Sequence, residues 1–159
     1  MVMDLELIYR TYKDNIYAIG FNYFGDPTDA DDIVQETFYK LSKSNTAFEN
    51  EDHIRNWLNR VAVNECKRTS MSFWRKRRKP LDDYIDSLVF ESEDEGDLFS
   101  EVMKLKPKYR QVIHLFYYEG YSTDEISRLL KISRSAVTTR LARARKQLKE
   151  HLQEVWDDE

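Results

Sequence analysis

The sequence predicts an all-α protein: two small helical domains joined by an acidic linker, the C-terminal one containing a helix-turn-helix. Three observations predict it. Glycine and proline number only 4 and 3 in 159 residues, which favours long helices over turn-rich sheets. Apolar residues recur at three- and four-residue intervals, the spacing of a single helix face. Charge is segregated: residues 67–79 hold seven basic residues and no acid, 82–97 hold eight acids and no base, and 128–149 are basic again. A hydrophobic content of 41% supports modest cores.

The first domain is expected over residues 1–79. Leu5, Ile8, Tyr12, Ile16 and Ile19 mark an amphipathic helix that Asp26-Pro27 breaks. Thr28 or Asp29 can cap a second helix, whose acidic first turn suits the positive end of the helix dipole. Its buried face is Ala30, Ile33, Val34, Phe38 and Leu41; Asp32, Gln35, Glu36, Tyr39 and Lys40 lie outside that face. Residues 42–52 are polar and form a loop with Phe48 as its one large apolar side chain. A third helix runs from about Glu51 to beyond Arg68. Ile54, Trp57, Leu58, Val61, Ala62 and Cys66 face inward, Cys66 in preference to Glu65. Arg55, Asn56, Asn59, Arg60, Asn64, Lys67 and Arg68 face outward. Phe73 and Trp74 either close the core or stack on a ligand, and Arg75, Lys76, Arg77, Arg78 and Lys79 follow before Pro80 ends the unit.

Residues 80–96 read as the linker. Asp82, Asp83, Asp86, Glu91, Glu93, Asp94 and Glu95 repel one another and extend it. Tyr84, Ile85, Leu88, Val89 and Phe90 are apolar enough to dock on a partner or on either domain. Seventeen such residues reach at most about 60 Å.

The second domain is expected over 97–159. A short helix at 98–103 precedes one that opens at Pro107, where a missing N–H costs nothing, and closes before Gly120. The next opens at Ser122 with Glu125 three residues on, a capping box, and buries Ile126, Leu129 and Leu130. Lys131, Ile132 and Ser133 form a turn of the length that joins two crossed helices. Ser133 caps a last helix beginning near Arg134, with Val137, Leu141, Ala144 and Leu148 as its buried stripe. The opposite face shows Ser135, Thr138, Thr139, Ala142, Arg143 and Lys146. Small polar side chains with a few long cations suit base edges in a major groove. Arg134, Arg140, Arg145 and Lys149 flank that face, where phosphates would lie. Two separated basic patches on a chain of net charge −4 suggest two contacts on one polyanion, not indiscriminate coating.

Several classes are excluded. No apolar run reaches the length of a membrane span. Residues 1–9 hold Asp4 and Glu6 and no basic segment, unlike a signal peptide, so the chain is expected in the cytoplasm with no membrane insertion of its own. A single cysteine, Cys66, excludes an internal disulfide and fits a reducing compartment. His53, His114 and His151 are scattered, the acids lack metal-loop spacing, and there is no Gly-rich phosphate loop. No catalytic residue, metal or cofactor is expected.

Three segments together resemble a bacterial RNA polymerase sigma factor of the extracytoplasmic-function group, over roughly residues 4–150. Asp31-Asp32-Ile33-Val34-Gln35-Glu36-Thr37-Phe38 resembles the family's polymerase-binding helix. Trp57-Leu58-Asn59-Arg60-Val61-Ala62-Val63-Asn64, with the basic run after it, resembles the minus-10 segment. Tyr109-Arg110-Gln111-Val112 through the helix 137–145 resembles the minus-35 domain. The resemblance implies that Asp32, Gln35 and Glu36 dock on the β′ coiled coil of core RNA polymerase, whose β subunit is a further partner; Tyr39 beside them completes a face that suits a basic partner helix. It implies that Phe48, Asn50 and Asn64 hold and read an unpaired minus-10 strand, with Lys67, Arg68, Arg75, Arg77 and Arg78 on its phosphates. Phe48 packing its own loop down is the plainer alternative. It further implies that Arg134, Ser135, Thr138, Thr139, Arg140, Arg143 and Lys146 bind minus-35 promoter DNA, and that an anti-sigma factor covers these surfaces. The linker acids either imitate an RNA backbone in the polymerase's basic passages or merely tether. A helix-turn-helix regulator that needs no polymerase is the alternative function; the acidic face at 32–36 and the two-patch layout weigh against it.

Overall fold

The computed structural model describes residues 4–76 and 93–157, and the side chains of 4–70 and 98–151. All regular structure among the described residues is helical, and the chain divides into two compact units, Met1–Arg78 and Lys79–Glu159.

In the first unit, α1 spans Leu5–Phe24, α2 Pro27–Lys43 and α3 Glu51–Lys76. Asp4 caps α1 by accepting from the Leu7 N–H at 3.2 Å, and Gly25 ends it at φ 70°, a left-handed conformation open to glycine. The cap of α2 differs from expectation. Pro27 occupies the first helical position, so the cap falls one residue earlier, on Asp26, whose carboxylate accepts from the Thr28 and Asp29 N–H groups at 2.8 and 3.2 Å. α1 and α2 cross at Gly20, where a methyl group would sit 3.1 Å from Cα of Ala30 and 3.2 Å from Cβ of Ile33. α3 packs against both helices. The shared core is Ile8, Ile16, Ile19, Phe21, Phe24, Ala30, Ile33, Val34, Leu41, Ile54, Leu58, Ala62, Val63 and Cys66. Leu5, expected inside, is largely exposed in the first turn of α1.

The buried face of α3 is wider than the apolar stripe suggested. Asn59, expected outside, is fully buried, with its side-chain oxygen 3.0 Å from the amide nitrogen of Asn15 on α1. Glu65 is buried together with Cys66, not turned out in its favour. Burial pushes the Cys66 thiol well above its ordinary range, so it is an inert core residue.

In the second unit, α4 spans Glu93–Lys104, beginning five residues before the expected helix and taking in acids assigned to the linker. α5 spans Pro107–Ile113 and passes into a π-helical turn, His114–Tyr118, closed by a hydrogen bond from the Glu119 N–H to the His114 carbonyl at 3.0 Å. Gly120 then turns the chain at φ 76°. α6 spans Thr123–Leu130 and α7 Arg134–Asp157. Ser122 forms the capping box: its hydroxyl accepts from the Glu125 N–H at 3.1 Å, and its own N–H donates to the Glu125 carboxylate at 3.0 Å. Lys131 takes the left-handed conformation, φ 57° and ψ 45°, and Ser133 caps α7 by accepting from the Ala136 N–H at 3.0 Å. Met103, Leu105, Tyr109, Val112, Leu115, Ile126, Val137, Leu141 and Ala144 fill the core. Arg110 is buried with them and donates to the carbonyls of Met103 and Leu105, which closes the end of α4.

Candidate nucleic-acid interface

The capping box fixes where α6 begins, the left-handed Lys131 fixes where it ends, and Ser133 starts α7 two residues later. That chain of local decisions turns one face of α7 to solvent. Ser135, Thr138, Thr139, Ala142, Arg143 and Lys146 are all exposed on it. Thr138 donates its hydroxyl back to the Arg134 and Ser135 carbonyls at 2.9 and 3.1 Å, which leaves its methyl group and an oxygen lone pair for a partner. The flanks differ from one another. Arg134 is paired with Asp124 of α6 at 3.3 Å, and Arg140 is half-buried. Arg145 donates to the Tyr117 hydroxyl at 2.7 Å and lies 5.5 Å from the ring centroids of Phe116 and Tyr117. It is held against the π-helical turn, beside an apolar groove of about 370 Å³ that Leu98, Val102, Tyr118 and Leu148 help to line.

In the first unit, α2 presents Asp32, Gln35 and Tyr39 to solvent, with Glu36 half-buried beside them. Phe48 turns inward, edge-on to His53 and Trp57 with ring centroids 5.1 and 5.7 Å apart. Asn50 caps α3: its side-chain oxygen accepts from the His53 N–H at 2.8 Å. Asn64, Lys67 and Arg68 are exposed along α3. Arg75 belongs to the same helix, but its side chain lies outside the described residues, as do those of Phe73 and Trp74. Arg77, Arg78, Lys79 and linker residues 80–92 also lie outside the described residues.

One buried residue beneath this surface was set aside in favour of Cys66. Glu65 accepts hydrogen bonds from Lys40 of α2 and from Nε and Nη2 of Arg68, at 3.0 and 2.8 Å. Desolvation opposes its charge, but the hydrogen bonds from Arg68 and Lys40 outweigh that and hold its carboxyl below the ordinary value. Glu65 and Arg68 edge a cleft of about 180 Å³ that Asp29, Asp32 and Glu36 also line. The signal lay in the spacing: Leu58, Ala62 and Glu65 stand at i, i+4 and i+7, on one face.

Comparison with known proteins identifies both units. The model of sigma-70 region 2 matches residues 8–79, and that of sigma-70 region 4 matches 97–148. RNA polymerase sigma factor SigV of Bacillus subtilis (strain 168) is 31% identical over 141 residues, covering 85% of this chain and 82% of its own. ECF RNA polymerase sigma factor SigW of the same organism is 28% identical over 167 residues, covering 91% and 86%. Among solved structures, the sigma factor RpoE of Bartonella quintana, crystallised with the anti-sigma factor NepR, shares the fold. Its TM-score is 0.70 at 22% identity, over 96% of this chain and 98% of that one.

Proposed function

The chain belongs to the sigma-70 family as an alternative sigma factor of the extracytoplasmic-function group, directing transcription initiation at promoters, and from that premise we propose how its surfaces divide the work. It is a DNA-binding initiation factor, not an enzyme; bond formation belongs to the polymerase. Asp32, Gln35, Glu36 and Tyr39 dock on the β′ coiled coil of core RNA polymerase, with further contact to the β subunit. An acidic, hydrogen-bonding helix face beside an aromatic ring suits a basic partner helix.

The face of α3 carrying Asn64, Lys67 and Arg68, with Arg75, Arg77 and Arg78 beyond it, takes the minus-10 strand. Phe48 and Asn50, on the loop that leads into α3, are assigned to the same strand. Asn amides on a helix and loop can clasp the edge of an extruded base, and cations beside them neutralise phosphates. α7 reads the minus-35 element through Ser135, Thr138, Thr139, Arg143 and Lys146, with Arg134 and Arg140 toward the backbone. The single observation that carries this reading is the capped turn that leaves the whole polar face of α7 open. Its working place is the cytoplasm, where the polymerase is; among the described residues no helix is long and apolar enough to cross a membrane. An anti-sigma factor is a further partner, a reading supported by the partner crystallised with RpoE of Bartonella quintana.

The test is transcription in vitro. The purified chain is added to bacterial core polymerase with a library of promoter fragments, and transcript starts are sequenced. New starts sharing two spaced upstream elements are expected only with the chain present. Asp32→Lys with Glu36→Lys should abolish them by removing polymerase binding; unchanged polymerase affinity would sink the docking role.

A further inference from the structure

The carboxylate of Glu65 sits where α2 and α3 meet. Only 2% of the residue is exposed, yet both of its hydrogen-bonding partners reach solvent: the side chain of Lys40 is 44% exposed and that of Arg68 65%. A buried charge is retained only when donors surround it, and here the donors come from two helices. Lys40 stands on the helix that bears Asp32, Gln35, Glu36 and Tyr39. Arg68 stands on the helix that bears Asn64 and Lys67. Arg68 is gripped through Nε and Nη2, two of the three guanidinium nitrogens, both to one oxygen of Glu65. That grip fixes the plane of the guanidinium, and the fork geometry of arginine makes orientation decisive for a phosphate contact.

We propose that Glu65 is a positioning residue for capture of the minus-10 strand: anchored on α2 through Lys40, it holds the Arg68 guanidinium in the orientation that meets a strand phosphate. The proposal rests on the reading of α3 as the strand-binding face and names the residue that organises it. A simple electrostatic view gives the opposite sign. An acid beside a DNA-binding arginine repels the polyanion, so neutralising it should strengthen binding. A positioning acid, once neutralised, lets the arginine swing away and weakens binding.

The experiment uses the full chain assembled with core polymerase and a fluorescein-labelled mixed-sequence single strand of DNA as the probe. Affinity is measured across a range of salt concentrations for the unaltered chain, Glu65→Gln, Arg68→Gln, the double variant and Lys67→Gln. Glutamine keeps the size and the acceptor oxygen of Glu65, and thermal melting confirms that each variant is folded. Removing one single-strand phosphate contact lowers the salt slope by about 0.7. Glu65→Gln is expected to weaken binding and to lower the slope by that amount in the unaltered chain, and to change neither when Arg68 is already glutamine. Tighter binding by Glu65→Gln, or an equal loss in both backgrounds, overturns the positioning role. Lys67 makes no hydrogen bond to Glu65, so it reports on the face alone. If both Lys67→Gln and Arg68→Gln bind like the unaltered chain, α3 is not the strand-binding face, and the inference fails with that reading.

Discussion

Asn59 and Glu65 are polar residues of α3 that the structure buries against expectation, and the reason is the same for both. Helical spacing reports which positions are apolar; it does not report that a polar side chain has found a partner on another helix. Asn59 meets Asn15 across 44 residues of sequence, and Glu65 meets Lys40 across 25. Such pairs exist only once helices have crossed, so local spacing can set Glu65 on the inward face but announces neither pairing. Ile54, Leu58, Ala62 and Cys66, by contrast, were legible as buried because burial of an apolar side chain needs no specific partner. The pairing has a stability consequence. Asn59→Ala strips a buried amide and its hydrogen bond to Asn15, a loss of about 1–3 kcal/mol read from the denaturant midpoint at unchanged slope. A neutral result would mean that Asn15 and Asn59 are hydrated in solution. Glu65 gives a pH effect of defined sign. Its folded-state pKa lies below the ordinary 4.5, so its contribution is complete above that value and is lost as pH falls through the folded value. The chain should therefore lose stability on the acid side of the carboxylate range, and Glu65→Gln should flatten that limb of the midpoint-versus-pH curve.

At the scale of the helix, the termini were the most legible features, because capping is local chemistry. Ser122 with Glu125, Pro107 at a first turn and Ser133 before α7 all sit where their side chains or missing N–H groups predict. The cap of α2 was misread because two good capping residues, Thr28 and Asp29, follow Pro27; proline's preference for the first helical position decides against both and leaves the cap to Asp26. The π-helical turn at His114–Tyr118 had no sequence signal. It brings together a local pair one π turn apart, the His114 ring nitrogen 3.1 Å from the Glu119 carboxylate, with both side chains almost wholly buried. The turn between α6 and α7 offers a direct test of local strain. Lys131 holds a left-handed backbone at φ 57°, a conformation that disfavours a side chain by about 1–2 kcal/mol and suits glycine. Lys131→Gly should stabilise the chain by about 0.5–1 kcal/mol after the added unfolded-state freedom is subtracted, seen as a higher melting temperature. Ser122→Ala should act in the other direction, by about 1 kcal/mol, through loss of the α6 cap. If Lys131→Gly melts lower, the lysine side chain makes a contact in solution that outweighs its strain.

Across the whole molecule, the order of charges along the chain carried the functional reading further than any single motif did. The basic stretches of α3 and α7 lie in different units, each with its own core. That division makes a quantitative prediction for promoter binding. Arg143→Ala removes a long cation from the centre of the open face of α7; where it reaches a base, it should weaken promoter binding by about 1–3 kcal/mol and relax preference at one minus-35 position. Lys67→Gln acts on α3, should weaken all sequences equally and should leave that preference intact. Residues with no shared partner contribute additively to within about 0.5 kcal/mol. The double variant, measured as holoenzyme affinity for one promoter and for the same promoter altered at the minus-35 element, should therefore lose the sum of the two single losses. An equal effect of Arg143→Ala on both promoters would confine Arg143 to phosphate contact. A double loss far below the sum would show that capture of one element already depends on the other, so that the two units act on the promoter as one body and not as two independent grips.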